Sequence, residues 1–390
     1  MRVLAGTSKG IFVINDGLTH QLLESRGVRD LVCHDGRLFA GTGAGLYISD
    51  DDGKTWILSG LEDYEVWQIR SGGEGVLYAA TQPAALFRSE DGGSSWLEVT
   101  SFAEHPEASK WCIPLTPPLP GRSRALVIDQ DNPKRIWVGV EVGGIMQSDD
   151  GGETWSFTMP GDNPDLHMMF AQPGQSDTLY ASTGYGRPNG IAEMIEGNAG
   201  VFRSEDGGAS WQYAWEGITP RYSRPMCIDH RPPHGLTVAC APTAFSSYKD
   251  EGGAGAMLLR SEDRGNSWRS YVTEPILPAG ATFMALQPTA SALAELSLEP
   301  MTVRSGGSAM MPNGQRWPTT SRRSCPQLHF RWLHHAKSIN TNSKPNRLEV
   351  EHLIWTDQEI CSPHYDLSSI GVALRPSGLS LTNWRAYLLH

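Results

Sequence analysis

Ser148-Asp-Asp-Gly-Gly-Glu-Thr-Trp155 is one of five copies of an eight-residue pattern, Ser-x-Asp-x-Gly-x-[Ser/Thr]-Trp, in this chain. The other copies span Ser49–Trp56, Ser89–Trp96, Ser204–Trp211 and Ser261–Trp268. An Asp can accept backbone N–H groups within a tight loop, a Gly can adopt positive φ, and a Trp can pack back on its own sheet. The pattern therefore predicts a hairpin turn that stabilises one structural unit in each repeat.

The same four residue types recur at the same spacing in every copy, which excludes a chance similarity. We assign to them a structural role and no chemical role. They are Ser49, Asp51, Gly53, Trp56, Ser89, Asp91, Gly93, Trp96, Ser148, Asp150, Gly152, Trp155, Ser204, Asp206, Gly208, Trp211, Ser261, Asp263, Gly265 and Trp268.

Short apolar segments precede each copy and have the composition of β-strands. A second and a third strand follow each first strand, as in Arg37–Tyr47. With the hairpin they make units of four strands, which are typical of the blades of an all-β fold, the β-propeller. The five segments interpreted as first strands are Val28–Cys33, Val66–Ile69, Ala125–Ile128, Leu166–Phe170 and Pro225–Ile228.

Two further segments raise the number of blades. Val3–Ile14 matches a second and a third strand without a first strand, and Thr282–Leu286 matches another first strand. Residues 1–288 thus predict a partial blade one, complete blades two to six and the start of blade seven. We expect the strand missing from blade one to come from the C-terminus, because ring closure leaves no unpaired edge.

The five copies resemble the Asp box of the BNR repeat family, and the resemblance covers roughly residues 1–288. Members of that family include sialidases, sortilin-type receptor domains and photosystem II assembly factors, and all of them are β-propellers. In the family the box joins the third and fourth strands of a blade and lies away from the ligand face. The resemblance therefore implies a fold and not a chemistry.

The C-terminal segment 289–390 departs from this pattern in composition. Residues 291–390 contain 10 Lys and Arg and 7 Asp and Glu, whereas the whole chain contains 32 and 43. No acidic residue occurs from Pro300 to Leu348. We interpret this tail as translated out of frame, so that a frameshift corrupts the last blade. The alternative is an unrelated, partly disordered basic extension.

The genetic code permits the out-of-frame interpretation. Read from the third base of the Leu296 codon, the codons of Leu296–Gly307 allow the peptide Val-Ala-Gly-Thr-Asp-Asp-Gly-Gln-Val-Trp-Arg, provided that free third bases are mostly G or C. That peptide aligns with Phe39–Tyr47 and with Leu4–Phe12, which belong to the second and third strands of earlier blades.

Charge and composition exclude several classes of function. The formal net charge of −11 leaves no basic excess for nucleic acid or for an anionic membrane surface. The sequence shows neither a signal peptide nor about 18 consecutive apolar residues, so we expect a cytoplasmic location without membrane insertion. Its Gly pairs belong to hairpins and not to a phosphate-binding loop, so no cofactor is predicted.

Propeller geometry places the starts of the first strands and the turns between second and third strands on one face, the ligand face. Three long insertions map to this face, at Ser101–Arg122, Gly184–Gly200 and Ala241–Gly255. Cationic and aromatic groups here suit a small anionic or sugar ligand, and the loops suit a protein partner. The alternative is that each Arg only pairs with a local carboxylate such as Asp30 or Asp229. The candidate ligand-binding residues are Arg29, Trp67, Arg124, Glu141, His167, Tyr185, Tyr222 and Arg224.

Two functions from different classes remain open. The first is a soluble binding or scaffold module without catalytic residues. The second is a sialidase-like glycoside hydrolase, in which Tyr222 with Glu141 or Glu216 would supply the nucleophile and its helper. The Arg-Ile-Pro segment that the sialidases of the family carry is absent from this sequence, which favours the binding module.

Metal binding is not predicted from the sequence. Asp165-x-His167 and Asp229-His230 could each contribute two ligands, but neither pair has a third ligand of known proximity. Such pairs are more typical of hydrogen-bonded strand ends.

The frameshift gives the first testable prediction. Resequencing the coding region from codon 280 past the stop should reveal a one- or two-base error whose correction restores the Ala-Gly-Thr-Asp-Asp-Gly stretch and a further Asp box. An unaltered frame would contradict the out-of-frame interpretation and leave the basic extension in its place.

Overall fold

The computed structural model describes residues 2–15, 18–115, 117–185, 198–242 and 256–270, and the backbone of two strands at 354–356 and 387–388. The expected first strand Thr282–Leu286 and the segment Leu296–Gly307 lie outside the described residues. Seven blades and the frameshift therefore stay predictions.

Five antiparallel sheets of four strands follow one another along the chain, each in simple sequential order. We call them blades 2 to 6, after a first sheet whose strands are β1 (Arg2–Thr7), β2 (Gly10–Asn15) and β3 (Leu18–Glu24). The strands of blades 2 and 3 are β4 (Val28–His34), β5 (Arg37–Thr42), β6 (Gly45–Ser49), β7 (Ile57–Gly60), β8 (Glu65–Ser71), β9 (Leu77–Gln82), β10 (Leu86–Ser89) and β11 (Leu97–Glu98).

An insertion separates blades 3 and 4, and the remaining blades follow directly. The insertion holds helix α1 (Thr100–Ala103), a 3₁₀ turn (Pro106–Lys110) and the short hairpin of β12 (Cys112–Ile113) and β13 (Leu119–Pro120). The strands of blades 4, 5 and 6 are β14 (Arg122–Ile128), β15 (Ile136–Glu141), β16 (Gly144–Ser148), β17 (Ser156–Thr158), β18 (Leu166–Gln172), β19 (Gln175–Thr183), β20 (Gly200–Ser204), β21 (Gln212–Tyr213), β22 (Tyr222–Ile228), β23 (Leu236–Ala241), β24 (Met257–Ser261) and β25 (Arg269–Ser270). A second 3₁₀ turn, Pro160–Asp162, follows β17.

The first strands of successive blades contact one another in the order β4, β8, β14, β18 and β22, as expected for strands around a propeller axis. Apolar side chains of neighbouring blades fill the space between the sheets. Trp137 of β15, for example, is fully buried in a cluster with Leu166 of β18. The predicted all-β propeller of four-stranded blades is confirmed.

The first sheet takes its remaining strands from the far end of the chain. β26 (Ile354–Thr356) pairs antiparallel with β1, and β27 (Tyr387–Leu388) pairs parallel with β26. A C-terminal strand therefore lies beside β1, at the edge where the sequence leaves blade one without a first strand.

A network of side-chain hydrogen bonds forms the Asp-box hairpin, as blade 4 shows. The Ser148 hydroxyl donates to Asp150 (2.8 Å) and accepts the Gly152 N–H (2.8 Å). Asp150 also accepts the N–H and the hydroxyl of Thr154, at 2.9 and 2.6 Å. Gly152 has φ +96°, which L side chains rarely adopt. The equivalent residues of the other four hairpins form the same bonds.

The Trp of each hairpin packs against the preceding blade, and not only on its own sheet as expected from the sequence. Its apolar ring shares a core cluster with residues of that blade, as Trp96 does with Val32 and Phe39. In four hairpins the indole N–H also donates to a residue at or just after the last strand of the preceding blade. These pairs are Trp96 to Ser59 (3.2 Å), Trp155 to Ser101 (3.1 Å), Trp211 to Thr158 (3.3 Å) and Trp268 to the Ala214 carbonyl (2.7 Å).

The first of the three predicted insertions lies beside the turns between second and third strands. Gln82 at the end of β9 donates to the Pro120 carbonyl (2.9 Å), and Trp111 lies against Gly143 in the turn after β15. The central parts of the other two insertions, 186–197 and 243–255, lie outside the described residues. None of the helices in the described part of the chain is long and apolar enough to cross a membrane.

Acidification should weaken the hairpins together. Hydrogen bonds from the Ser or Thr four positions later hold the pKa of Asp51, Asp91 and Asp150 at about 2, below the ordinary 3.8. A lowered folded-state pKa stabilises the fold above pH 3.8, and this contribution is lost as the pH falls towards 2. We expect the Tm of the full chain to fall over that range, and the triple variant Asp51→Asn, Asp91→Asn, Asp150→Asn to show a shallower fall. Asp131→Asn, at an exposed position in a turn, is the control; equal slopes in both variants would contradict the prediction.

Candidate functional site

A β-bulge interrupts the first strand of each of blades 2 to 6 near its start. In β4, for example, Val28 pairs with Thr42 and Asp30 with Gly41, so Arg29 has no partner in the ladder. A bulge bends the strand locally and redirects the extra residue. The bulge residues are Arg29, Trp67, Arg124, His167 and, with the adjacent Pro225, Arg224.

Three guanidinium groups surround the indole of Trp67. The Cζ atoms of Arg29, Arg122 and Arg124 lie 4.7, 4.6 and 5.6 Å from the ring centroid. Arg29 also donates to Glu65 at 3.2 Å. The buried indole is thus engaged with arginines. Its use as a stacking platform for a ligand stays a prediction.

Glu141, the last residue of β15, forms ion pairs with two of these arginines. Its Oε2 atom lies 3.0 Å from Arg124 Nη1 and 3.4 Å from Arg122 Nε. The side chains of Glu141 and Arg124 are only 11% and 8% exposed. Burial alone would raise the pKa of Glu141, but attraction to the two arginines outweighs it and the pKa is lowered. Glu141 is therefore held as a carboxylate.

Asp165 and His167 adjoin Glu141 across the boundary between blades 4 and 5. Asp165 forms a backbone bridge with Glu141, and one ligand atom from each of Glu141, Asp165 and His167 lies within 4.8 Å of the other two. His167 Nε2 is 3.2 Å from Asp165 Oδ1, and His167 Nδ1 is 2.6 Å from the Ser223 carbonyl oxygen. All three side chains belong to buried residues. Together they form a Glu/Asp/His cluster.

Tyr222 continues the site into blade 6. Its hydroxyl lies 3.3 Å from His167 Nε2 and accepts a hydrogen bond from Arg224 at 3.2 Å. The Tyr185 hydroxyl accepts the Tyr222 N–H and donates to the Pro242 carbonyl, which ties blade 5 to blade 6. Burial raises the pKa of Tyr222 to about 12, so its hydroxyl stays protonated at neutral pH.

Close backbone packing fixes this half of the site. A Cβ on Gly184 would lie 2.1 Å from Asp165 Oδ2 and 2.7 Å from both the His167 and Tyr222 rings, so a side chain there would displace the site. Asn163 accepts the Asp165 N–H and donates to the Gly184 carbonyl. Asp165 therefore has little room to move.

The structure brings all eight candidate ligand-binding residues into one continuous set of contacts from Arg29 to Arg224. Glu216, proposed as an alternative partner of Tyr222, is instead exposed in the turn between β21 and β22. Arg122 and Glu65 also belong to this set but were not predicted from the sequence, and Asp165 was not among the predicted ligand-binding residues. Arg122 could have been predicted, because it precedes Arg124 by two residues in the same strand and alternate residues share one face of a sheet.

The local carboxylates suggested as partners for the arginines pair elsewhere. Asp30 binds Arg70 at 2.9 Å, and Asp229 lies 3.7 Å from Arg260. The arginines of the site pair instead with Glu65 and Glu141, which come from the next blade in the first case and from the adjacent strand in the second.

Removal of the Glu141 charge should destabilise the protein. Glu141→Gln leaves the buried Arg124 and the half-buried Arg122 without their carboxylate and should lower the free energy of unfolding by roughly 3–5 kcal/mol. Addition of Arg124→Met should recover part of that loss. The control is Glu90→Gln, which breaks an exposed pair with Arg88 and should cost at most about 1 kcal/mol. Equal losses for the two single variants in chemical denaturation would contradict this assignment.

Comparison with known proteins identifies the fold. No protein-family model and no curated protein matches the chain. Among solved structures, the GH74 xyloglucanase from Xanthomonas campestris aligns with a TM-score of 0.51 and 17% identity over 71% of this chain. An extracellular domain assigned to a hybrid two-component system of B. thetaiotaomicron aligns with a TM-score of 0.52 and 13% identity over 73% of it.

The chain spans less than half the length of each of these two proteins, namely 45% and 34%. At identities this low the likeness concerns the fold alone. It agrees with the ring of four-stranded sheets described above, and the fold of this chain is a β-propeller.

Proposed function

We propose that the chain is a binding module that takes an anionic ligand, such as an acidic sugar or another carboxylate, at the bulge residues. The observation that carries the proposal is the convergence of four guanidinium groups at one end of the inner strands. Arg29, Arg122 and Arg124 lie around Trp67, and Arg224 lies beside Tyr222. Guanidinium groups bind carboxylates and phosphates with paired hydrogen bonds.

The electrostatics around Arg122 support an anion. Burial lowers the pKa of this guanidinium, and the nearby charges of Arg124 and Arg29 lower it further, against the opposing effect of Glu141. A bound carboxylate would offset that repulsion. Arg29, Arg122 and Arg224 are partly exposed and can be reached by a ligand, whereas Arg124 is buried.

Carboxylates near the arginines would accept hydrogen bonds from the hydroxyl groups of a sugar whose anionic group binds the arginines. Glu65 lies beside Arg29 and Asp165 lies beside Glu141, and carboxylate oxygens accept hydrogen bonds only. The Ser101–Arg122 insertion lies on the same face and adds surface for a larger ligand or a protein partner.

Glycoside hydrolysis is the second candidate, and the proximity of Glu141 to Asp165 favours it. Most glycoside hydrolases use two neighbouring carboxyl groups as their catalytic residues. The Tyr222 nucleophile suggested by the sequence is less suitable, because its hydroxyl is bonded to His167 and Arg224 and its pKa is raised to about 12.

Calorimetry of the full chain against neutral and carboxylate-bearing sugars tests the proposal. Only the acidic members should bind, and Arg29→Met or Arg224→Met should each weaken binding by roughly 10- to 100-fold, as expected for a lost charge-assisted bond. Arg269→Met, an exposed arginine in β25, is the matched control.

A parallel panel of aryl glycosides distinguishes the two candidates. Turnover that Asp165→Asn abolishes while binding persists would establish the hydrolase. Equal binding of neutral and acidic sugars, or binding that both arginine variants retain, would overturn the anion-binding proposal.

A further inference from the structure

We propose that the Glu/Asp/His cluster of Glu141, Asp165 and His167 binds one divalent transition-metal ion, with Zn²⁺ preferred. One imidazole and two carboxylates are a donor set that proteins use for zinc. The three residues come from the end of β15, the start of blade 5 and the bulge of β18. The site therefore joins two blades on rigid backbone.

The orientation of the His167 ring supplies the first argument. A carbonyl oxygen can only accept, so the 2.6 Å contact with Ser223 requires the proton on Nδ1. In the neutral ring Nε2 is then a lone-pair donor. Metal-binding histidines are held in this way, with the second ring nitrogen donating to a backbone carbonyl.

The atom that Nε2 faces supplies the second argument. Asp165 Oδ1 is 3.2 Å away, and a carboxylate oxygen also presents a lone pair. This contact needs a positive charge between the two atoms, and a metal ion can supply it in place of a proton on Nε2. The Tyr222 hydroxyl, 3.3 Å from the same nitrogen, would turn aside when the metal binds. A tetrahedral zinc site with bonds of about 2.0–2.1 Å separates its ligand atoms by about 3.3–3.4 Å, close to the observed spacing.

Glu141 supplies the third ligand atom, within 4.8 Å of the other two. Its backbone bridge to Asp165 fixes the spacing of the two carboxylates. Arg124 and Arg122 approach its Oε2 atom, and a carboxylate has a second oxygen with lone pairs of its own. Ligating carboxylates are themselves hydrogen-bonded in metal sites, so the two arginines are compatible with coordination.

Burial completes the argument. The His167 side chain is 0% exposed and that of Asp165 10% exposed, so water does not compete freely for the ligand atoms. Gly184 leaves no space for Asp165 to turn away from His167. The cluster is therefore preorganised for metal binding. The metal site shares Glu141 and Asp165 with the site of the proposed function, but zinc uptake measured without sugar or anion tests it independently.

Zinc titration of the chelator-treated full chain tests the proposal without any sugar or anion. Calorimetry should show one Zn²⁺ per chain. Asp165→Asn and His167→Gln should each weaken binding by roughly 100-fold or more, since even loss of a residue that only supports a ligand costs 10- to 100-fold. Asp30→Asn removes another buried carboxylate, the partner of Arg70, and should leave the affinity unchanged.

The C-terminal segment contains further histidines that could bind zinc, so the number of imidazole ligands must be measured as well. X-ray absorption of the zinc-loaded wild-type chain should show one imidazole, with oxygen for the other ligands. This measurement needs no variant and holds even if a substitution prevents folding. Absence of zinc uptake, uptake that survives Asp165→Asn, or two or more imidazoles would overturn the proposal.

Discussion

The contact between the Asp-box Trp and the preceding blade is the interaction on which the rest of the structure depends. A four-stranded sheet buries little apolar surface alone, so each blade needs its neighbour to form a core. The indole supplies that surface and, in four blades, a hydrogen bond that orients it. Because the hairpin hydrogen bonds hold the Trp in place, a loop of eight residues positions the contact between successive blades.

The bulges place the polar and aromatic side chains of the candidate site. A regular first strand would pair every residue in the ladder, and side chains would alternate between the two faces of the sheet. One extra residue near the start of each first strand breaks that alternation at the same level in five blades. The polar and aromatic groups there meet one another across blade boundaries. They can be buried because each has a partner on its own or a neighbouring blade, as Arg124 has Glu141 and His167 has the Ser223 carbonyl.

Local pattern predicted the fold and most of the site. The hairpins and first strands follow from spacing and turn chemistry, and residues at first-strand starts share one end of a propeller. The partners of those residues could not be predicted, since Arg29 pairs with Glu65 and Glu141 meets Asp165 across blades. Asp165 was set aside because its third neighbour is 24 positions away in sequence. The Trp packs on its own sheet as predicted, but the contact of its ring with the preceding blade was not predicted.

That contact has a consequence for how such chains grow by duplication. The hydroxyl that receives an indole sits at the end of one blade, and the indole sits in the hairpin of the next. A copied segment that coincides with a blade keeps this contact only when the blade before it offers an equivalent acceptor. A segment that runs from the last strand of one blade to the hairpin of the next contains both the acceptor and the indole. The unit that is complete in its contacts therefore spans the boundary between two blades.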